Sequence, residues 1–140
     1  MEIEAVLEAA QAAKAGVNTV NAINTMWVLV AAFLVFFMQA GFALVEAGLT
    51  RAKNVVNIFA KNMTDAIVGI LAFFATGWAF AFGESGGWFI GTSNFFLQDL
   101  DLAAIPEGGL SPGTSFFFQA VFAATAVTIA GIGSGGASSA

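Results

Sequence analysis

The sequence has no cysteine and no histidine. Without cysteine there is no disulfide framework, no thiolate metal site and no sulfur nucleophile. Without histidine, the side chain best suited to proton transfer near neutral pH is missing, along with the commonest transition-metal ligand. Charge is scarce too: Asp, Glu, Lys and Arg make up 9% of the 140 residues, against about a quarter in an average soluble domain. Nine acidic and four basic residues cannot coat a water-facing globule of this length. The net charge of −5 also denies nucleic acid the clustered cations it needs. No nucleophile stands beside a base, and there is no metal cluster or phosphate-cradling loop, so the chain is not expected to be an enzyme or to hold a cofactor or metal.

What the chain has in excess is apolar surface, at 59% of residues. Long uncharged runs separate the charges. That pattern excludes both disorder and an ordinary soluble domain, and it places the chain in a membrane.

Residues 1–24 differ from the rest. Ile3, Val6, Leu7, Ala10 and Ala13 recur at helical spacing among Glu2, Glu4, Glu8 and Lys14. An acidic start with no continuous apolar core is unlike a secretory signal, so the reading is an external amphipathic segment, with a processed leader as the alternative. Asn21 or Thr25 is expected to cap the helix that follows. From Met26 to Val45 there is no charge and one amide, Gln39. About 20 such residues span about 30 Å, the thickness of the hydrocarbon core. Trp27 stands at the start of that run, where an interfacial indole is favoured.

A second apolar run, Ala66 to Phe82, extends back to about Val55, because Asn57, Lys61 and Asp65 fit helical spacing. The third runs from Thr114 to Ile132. The fold class is therefore an all-α polytopic membrane protein with helices over about 26–47, 55–82 and 114–132. Gly83 to Gly113 read as a connector, punctuated by Gly86, Gly87, Pro106, Gly108, Gly109 and Pro112, with one short helix around Phe95 to Leu100. Residues 133–140 read as a flexible tail.

Basic residues set the expected orientation. Arg51, Lys53 and Lys61 lie between the first two spans, whereas Glu84, Asp99, Asp101 and Glu107 in the second connector have no Lys or Arg beside them. The first connector is thus expected in the cytoplasm, with the N-terminus outside and the C-terminus inside. The site would be the plasma membrane.

Several residues have two readings. Ala43 with Ala47, Ala75 with Ala79 and Gly83, and Ala120 with Ala124 follow the small-x-x-x-small spacing of packed membrane helices. Glu46 and Asp65 lie near a helix end, where they either pair with Arg51, Lys53 or Lys61 or mark a substrate path. The dense polar stretch of Arg51, Lys53, Asn54, Asn57, Lys61, Asn62 and Asp65 is either a capped helix corner or a cytoplasmic vestibule. Phe118, Phe122, Thr125 and Ile129 share one face, with Gln119 beside it. Such a stripe is either core packing or an aromatic constriction that holds a small cation before it sheds water.

The stretch Phe37-Met38-Gln39-Ala40-Gly41-Phe42-Ala43-Leu44-Val45-Glu46-Ala47-Gly48, followed by Arg51-Ala52-Lys53-Asn54-Val55-Val56-Asn57-Ile58, resembles the first helix and first loop of the ammonium transporter (Amt/Rh) family. The likeness continues through Gly77-Trp78-Ala79-Phe80-Ala81-Phe82-Gly83, Phe89-Ile90-Gly91 and Phe118-Gln119-Ala120-Val121-Phe122-Ala123. The resemblance implies a homotrimer with eleven helices per subunit and a hydrophobic pore for ammonium or ammonia in each. It also implies that Phe122 belongs to an external aromatic gate, with Gln119 at the entrance. The family's pore histidines lie on later helices, so these 140 residues are expected to be an N-terminal portion, inactive alone. The alternative is a small three-span interaction or regulatory protein.

Overall fold

The computed structural model describes residues 2–84, 90–106 and 109–138. Gly86, Gly87, Phe89, Glu107 and Gly108, named above, lie outside the described residues. The described chain is helical with no strand, and three of its helices are long and apolar enough to cross a membrane.

Helix α1 runs unbroken from Glu2 to Leu49. At about 1.5 Å per residue it is about 70 Å long, more than twice the hydrocarbon thickness. The chain then turns through Arg51, which is extended (φ −65°, ψ 141°), and one 3-10 turn, Ala52–Asn54. Helix α2, Val55–Ala72, follows directly. It passes through a π-helical turn, Phe73–Gly77, into α3, Trp78–Phe82, giving one continuous 31-residue rod from 52 to 82. The rod stops where Gly83 becomes extended (ψ 156°). A short 3-10 turn, Phe95–Leu97, interrupts the connector, and α4 runs from Pro112 to Ser138.

The π turn adds a residue to one helical turn and so re-aims the side chains around it. Its effect is visible in the rings. Phe73 stacks on Phe116 of α4 at 5.8 Å, Phe74 meets the same ring edge-on at 6.3 Å, and Trp78 does so at 5.8 Å. Phe74 also receives Phe96 from the connector, edge-on at 6.0 Å. That contact helps hold Phe96 and the buried Leu97 at positive φ (55° and 57°), a region non-glycine residues rarely adopt.

Between the rods, small residues make the close contacts, beside larger buried ones such as Ile58, Trp78 and Val121. Ala32 and Ala43 of α1, Ala66 and Gly69 of α2, Ala79 of α3, and Ala120 and Ala124 of α4 are all buried. Lipid tails compete well for large apolar side chains, so helices associate in membranes by close backbone approach. At the α2–α4 crossing a Cβ on Gly69 would lie 3.3 Å from the Ala124 Cα. Large apolar groups face outward instead: Trp27 is 77% exposed and Phe37 78%.

Three sequence expectations differ from the structure. Residues 2–24 of the N-terminal segment are the first half of α1, not a separate helix, because no Pro or Gly pair interrupts the helix before Met26. Asn21 and Thr25 therefore lie mid-helix and cap nothing; Asn21 is buried, and its Oδ1 and the Thr25 Oγ1 are without a hydrogen bond. Residues 133–138 continue α4 where a tail was expected. A helix once propagating adds one backbone bond per residue, enough to carry Gly and Ser a further turn or two.

Candidate functional site

Two groups of side chains stand out, one at each end of the bundle. At the corner between α1 and α2, Glu46 is 2% exposed. Its Oε2 accepts a hydrogen bond from Asn62 Nδ2 at 2.7 Å, and the same nitrogen donates to the Ile58 carbonyl at 3.0 Å. Lys61 Nζ lies 3.4 Å from Glu46 Oε1 and 2.9 Å from Asp65 Oδ2. Glu46 Oε1 accepts no hydrogen bond, so the Lys61 charge is its compensation. Helical periodicity makes this possible: Ile58, Asn62, Ala66 and Gly69 form the inward face of α2, with Lys61 and Asp65 along its edge. Helix α4 closes the corner, since a Cβ on Gly131 would lie 2.7 Å from Lys61 Nζ and 2.9 Å from Asp65 Oδ2.

Of the two readings for Glu46 and Asp65, the geometry matches pairing: Lys61 is the base that both acids meet. One ammonium between two carboxylates ties α1 to α2 beside Gly131 of α4, where an isolated buried charge would be costly. Arg51 and Lys53 are exposed at the loop, and Asn54, half-buried, donates its backbone N–H to the Arg51 carbonyl at 2.8 Å.

At the other end, α4 presents three successive phenylalanines, with Phe122 one turn further on, and they divide between two faces. Phe116 enters the cluster with Phe73, Phe74 and Trp78, and Phe117 meets Phe33 of α1 edge-on at 5.6 Å. Phe118 points elsewhere. It meets Phe122 edge-on at 5.0 Å, and Phe122 is 44% exposed. Thr125 is half-buried and Ile129 is 50% exposed, so the stripe read from the sequence stands on a side of α4 that α1 and α2 do not cover. Gln119, half-buried, lies beside it.

One pair was not found from the sequence. Gln39 Nε2 donates to Thr128 Oγ1, which in turn donates to the Ala124 carbonyl at 3.1 Å, and Thr128 is fully buried. The available signal was Gln39 itself, since a lone amide inside an uncharged span needs a partner on another helix. Among the described residues no group of acidic side chains could hold a metal ion.

Such an arrangement can fasten three apolar helices and hold a pair of aromatic rings on an open face of α4. The family model described as the Ammonium Transporter Family matches residues 26–138. Ammonium transporter Amt2 of Archaeoglobus fulgidus is 46% identical over 109 residues, covering 76% of this chain and 22% of that protein. Ammonium transporter 1 member 3 of Solanum lycopersicum is 42% identical over 118 residues, covering 84% of this chain and 24% of that protein. A solved structure titled Sensor Amt Protein superimposes with a TM-score of 0.72 at 44% identity, covering 80% of this chain and 27% of that one. The chain thus spans about a quarter of the length of the proteins it matches. The match takes in the membrane-crossing part of all three long helices, and on that ground the chain belongs to the ammonium transporter family.

Proposed function

We propose that these three helices form part of a membrane conduit for ammonium, or for ammonia after proton loss, with Phe122 at its outer mouth. Phe118 steadies that ring and Gln119 flanks it. The observation that carries the reading is the placement of Phe122. It sits in the family-matched stretch, on the face of α4 left clear by α1 and α2, paired edge-on with Phe118. Aromatic faces attract a small cation within about 6 Å of the ring centroid, most strongly where water is excluded. A wall of this kind needs an opposite side, which other helices supply in the assembled transporter, a homotrimer in this reading.

In the proposed orientation the α1 N-terminal half stands outside the plasma membrane and the Arg51–Lys61 corner faces the cytoplasm, as the basic residues favour. Glu84, Asp99 and Asp101 then lie outside and mildly concentrate cations by their field. Glu46, Lys61 and Asp65 fasten helices and do not touch the substrate.

The test is a graft. Residues 26–132 replace the matching part of a full-length ammonium transporter, and labelled methylammonium uptake is measured in cells. Saturable uptake is expected from the graft, and none above background from these 140 residues alone. A graft that reaches the membrane and shows no uptake overturns the reading.

A further inference from the structure

Helix α4 carries no charged residue, and along its middle it packs on apolar and small groups such as Phe33, Gly69 and Phe73, with Lys61 and Asp65 meeting it near Gly131. Apolar packing alone therefore says little about how such a helix is rotated about its own axis, because each face is nearly as compatible with its neighbours as the next. Rotation nevertheless decides the function proposed above. Successive residues lie about 100° apart around the axis, so a turn of one residue would exchange Phe117, which packs on Phe33, for Phe118, which faces away.

Something must choose, and a side-chain hydrogen bond links α1 directly to α4, from Gln39 to Thr128. Both partners are specific to one rotation. Thr128 is fully buried and spends its own hydroxyl proton on the Ala124 carbonyl, so its oxygen is left as an acceptor facing Gln39. Turning α4 by one residue in either direction presents Val127 or Ile129 to that amide and leaves a polar group without a partner in an apolar setting. A polar pair in an apolar interface commonly sets register in this way, even where it adds little stability. The Gly69–Ala124 approach discriminates less sharply, because Ala123, one residue away, would offer Gly69 the same small side chain.

We infer that Gln39 and Thr128 are positioning residues: their hydrogen bond fixes the rotation of α4 and so turns Phe118 and Phe122 to the outer mouth. The functional half of this inference rests on the place given to Phe122 above; the rotational half does not.

The absence of cysteine makes a direct measurement possible. Cysteines are introduced into the full 140-residue chain in membranes, at positions 33 and 117 in one version and at 33 and 118 in another, and disulfide formation is driven by a mild oxidant. With Gln39 and Thr128 intact, the 33–117 pair should form in large preference to the 33–118 pair, because α4 turns residue 117, whose ring meets Phe33 at 5.6 Å, toward α1 and residue 118 away from it. Thr128→Ser, which keeps the hydroxyl, should preserve that preference. Thr128→Val and Gln39→Leu should each reduce it by about threefold or more, the scale set by membrane hydrogen bonds of ordinary strength. An unchanged ratio in both variants overturns the inference. So does an equal fall in both cross-links, which reports loosened packing and not rotation. No ammonium enters the measurement, so a failure of the transport reading and a failure of this one are told apart.

Discussion

Asn62 donates a side-chain N–H to the Glu46 carboxylate at 2.7 Å, across the interface of the first two helices, and each residue is 2% exposed. A carboxylate at that depth is tolerated because a donor and an ammonium are both in reach. Removing one partner leaves a buried group unpaired, which is more damaging than removing both.

Asn62→Leu should therefore destabilise the bundle by about 2–3 kcal/mol. Glu46→Leu combined with Asn62→Leu should cost clearly less than the sum of the two single changes, because the pair forms one unit. Thermal unfolding of the detergent-solubilised chain reads both, and simple additivity would contradict a direct Glu46–Asn62 coupling.

Gly131 is the lid of the same corner. A methyl there has to displace Lys61 Nζ and Asp65 Oδ2, so Gly131→Ala should lower stability by about 1–2 kcal/mol, within the range for overpacked sites. In a Lys61→Met background, where the ammonium is gone, the same change should be milder. Equal losses in the two backgrounds would mean that the crowding lies elsewhere.

The crossing of α2 and α4 depends on Gly69. With its Cβ position 3.3 Å from the Ala124 Cα, Gly69→Ala needs a small outward shift, whereas Gly69→Leu has to part the helices. A loss of about 1–3 kcal/mol is expected for leucine and distinctly less for alanine. Resistance of the purified protein to denaturing detergent ranks the two, and a leucine variant as stable as its parent would remove the crossing from the fold's supports.

Phe116 and Phe122 should separate stability from transport. Phe116 touches Phe73, Phe74 and Trp78, so Phe116→Ala is expected to cost about 2–3 kcal/mol in unfolding. Phe122 is 44% exposed and touches one ring, so Phe122→Ala should leave unfolding nearly unchanged. In the grafted transporter the same substitution should alter methylammonium uptake. Unchanged uptake kinetics would take Phe122 out of the mouth.

Much of this was legible in the residues. The three apolar stretches around Leu34, Ile70 and Val121 announce membrane helices because a run of about 20 uncharged residues has few other stable destinations. The Phe118 and Phe122 pairing follows from their spacing of one turn. What Phe73 does was not legible. Ordinary helical periodicity does not foresee a π turn, and it is this turn that lets Phe73, Phe74 and Trp78 share one ring of α4.

By itself, the order of residues determined that the chain is helical, that it is made for lipid, and which family it resembles. The first two depend on local composition and on periodicity along one rod, the third on the order of residues in motifs such as Phe37 to Gly48. Tertiary structure alone decided that Lys61 answers both Glu46 and Asp65, that Gln39 meets Thr128 from 89 positions away, and that Phe117 faces inward while Phe118 does not. The reason is physical: lipid makes every face of an apolar helix nearly equivalent, so only close approach between rods and the few polar groups they bury can tell one face from another.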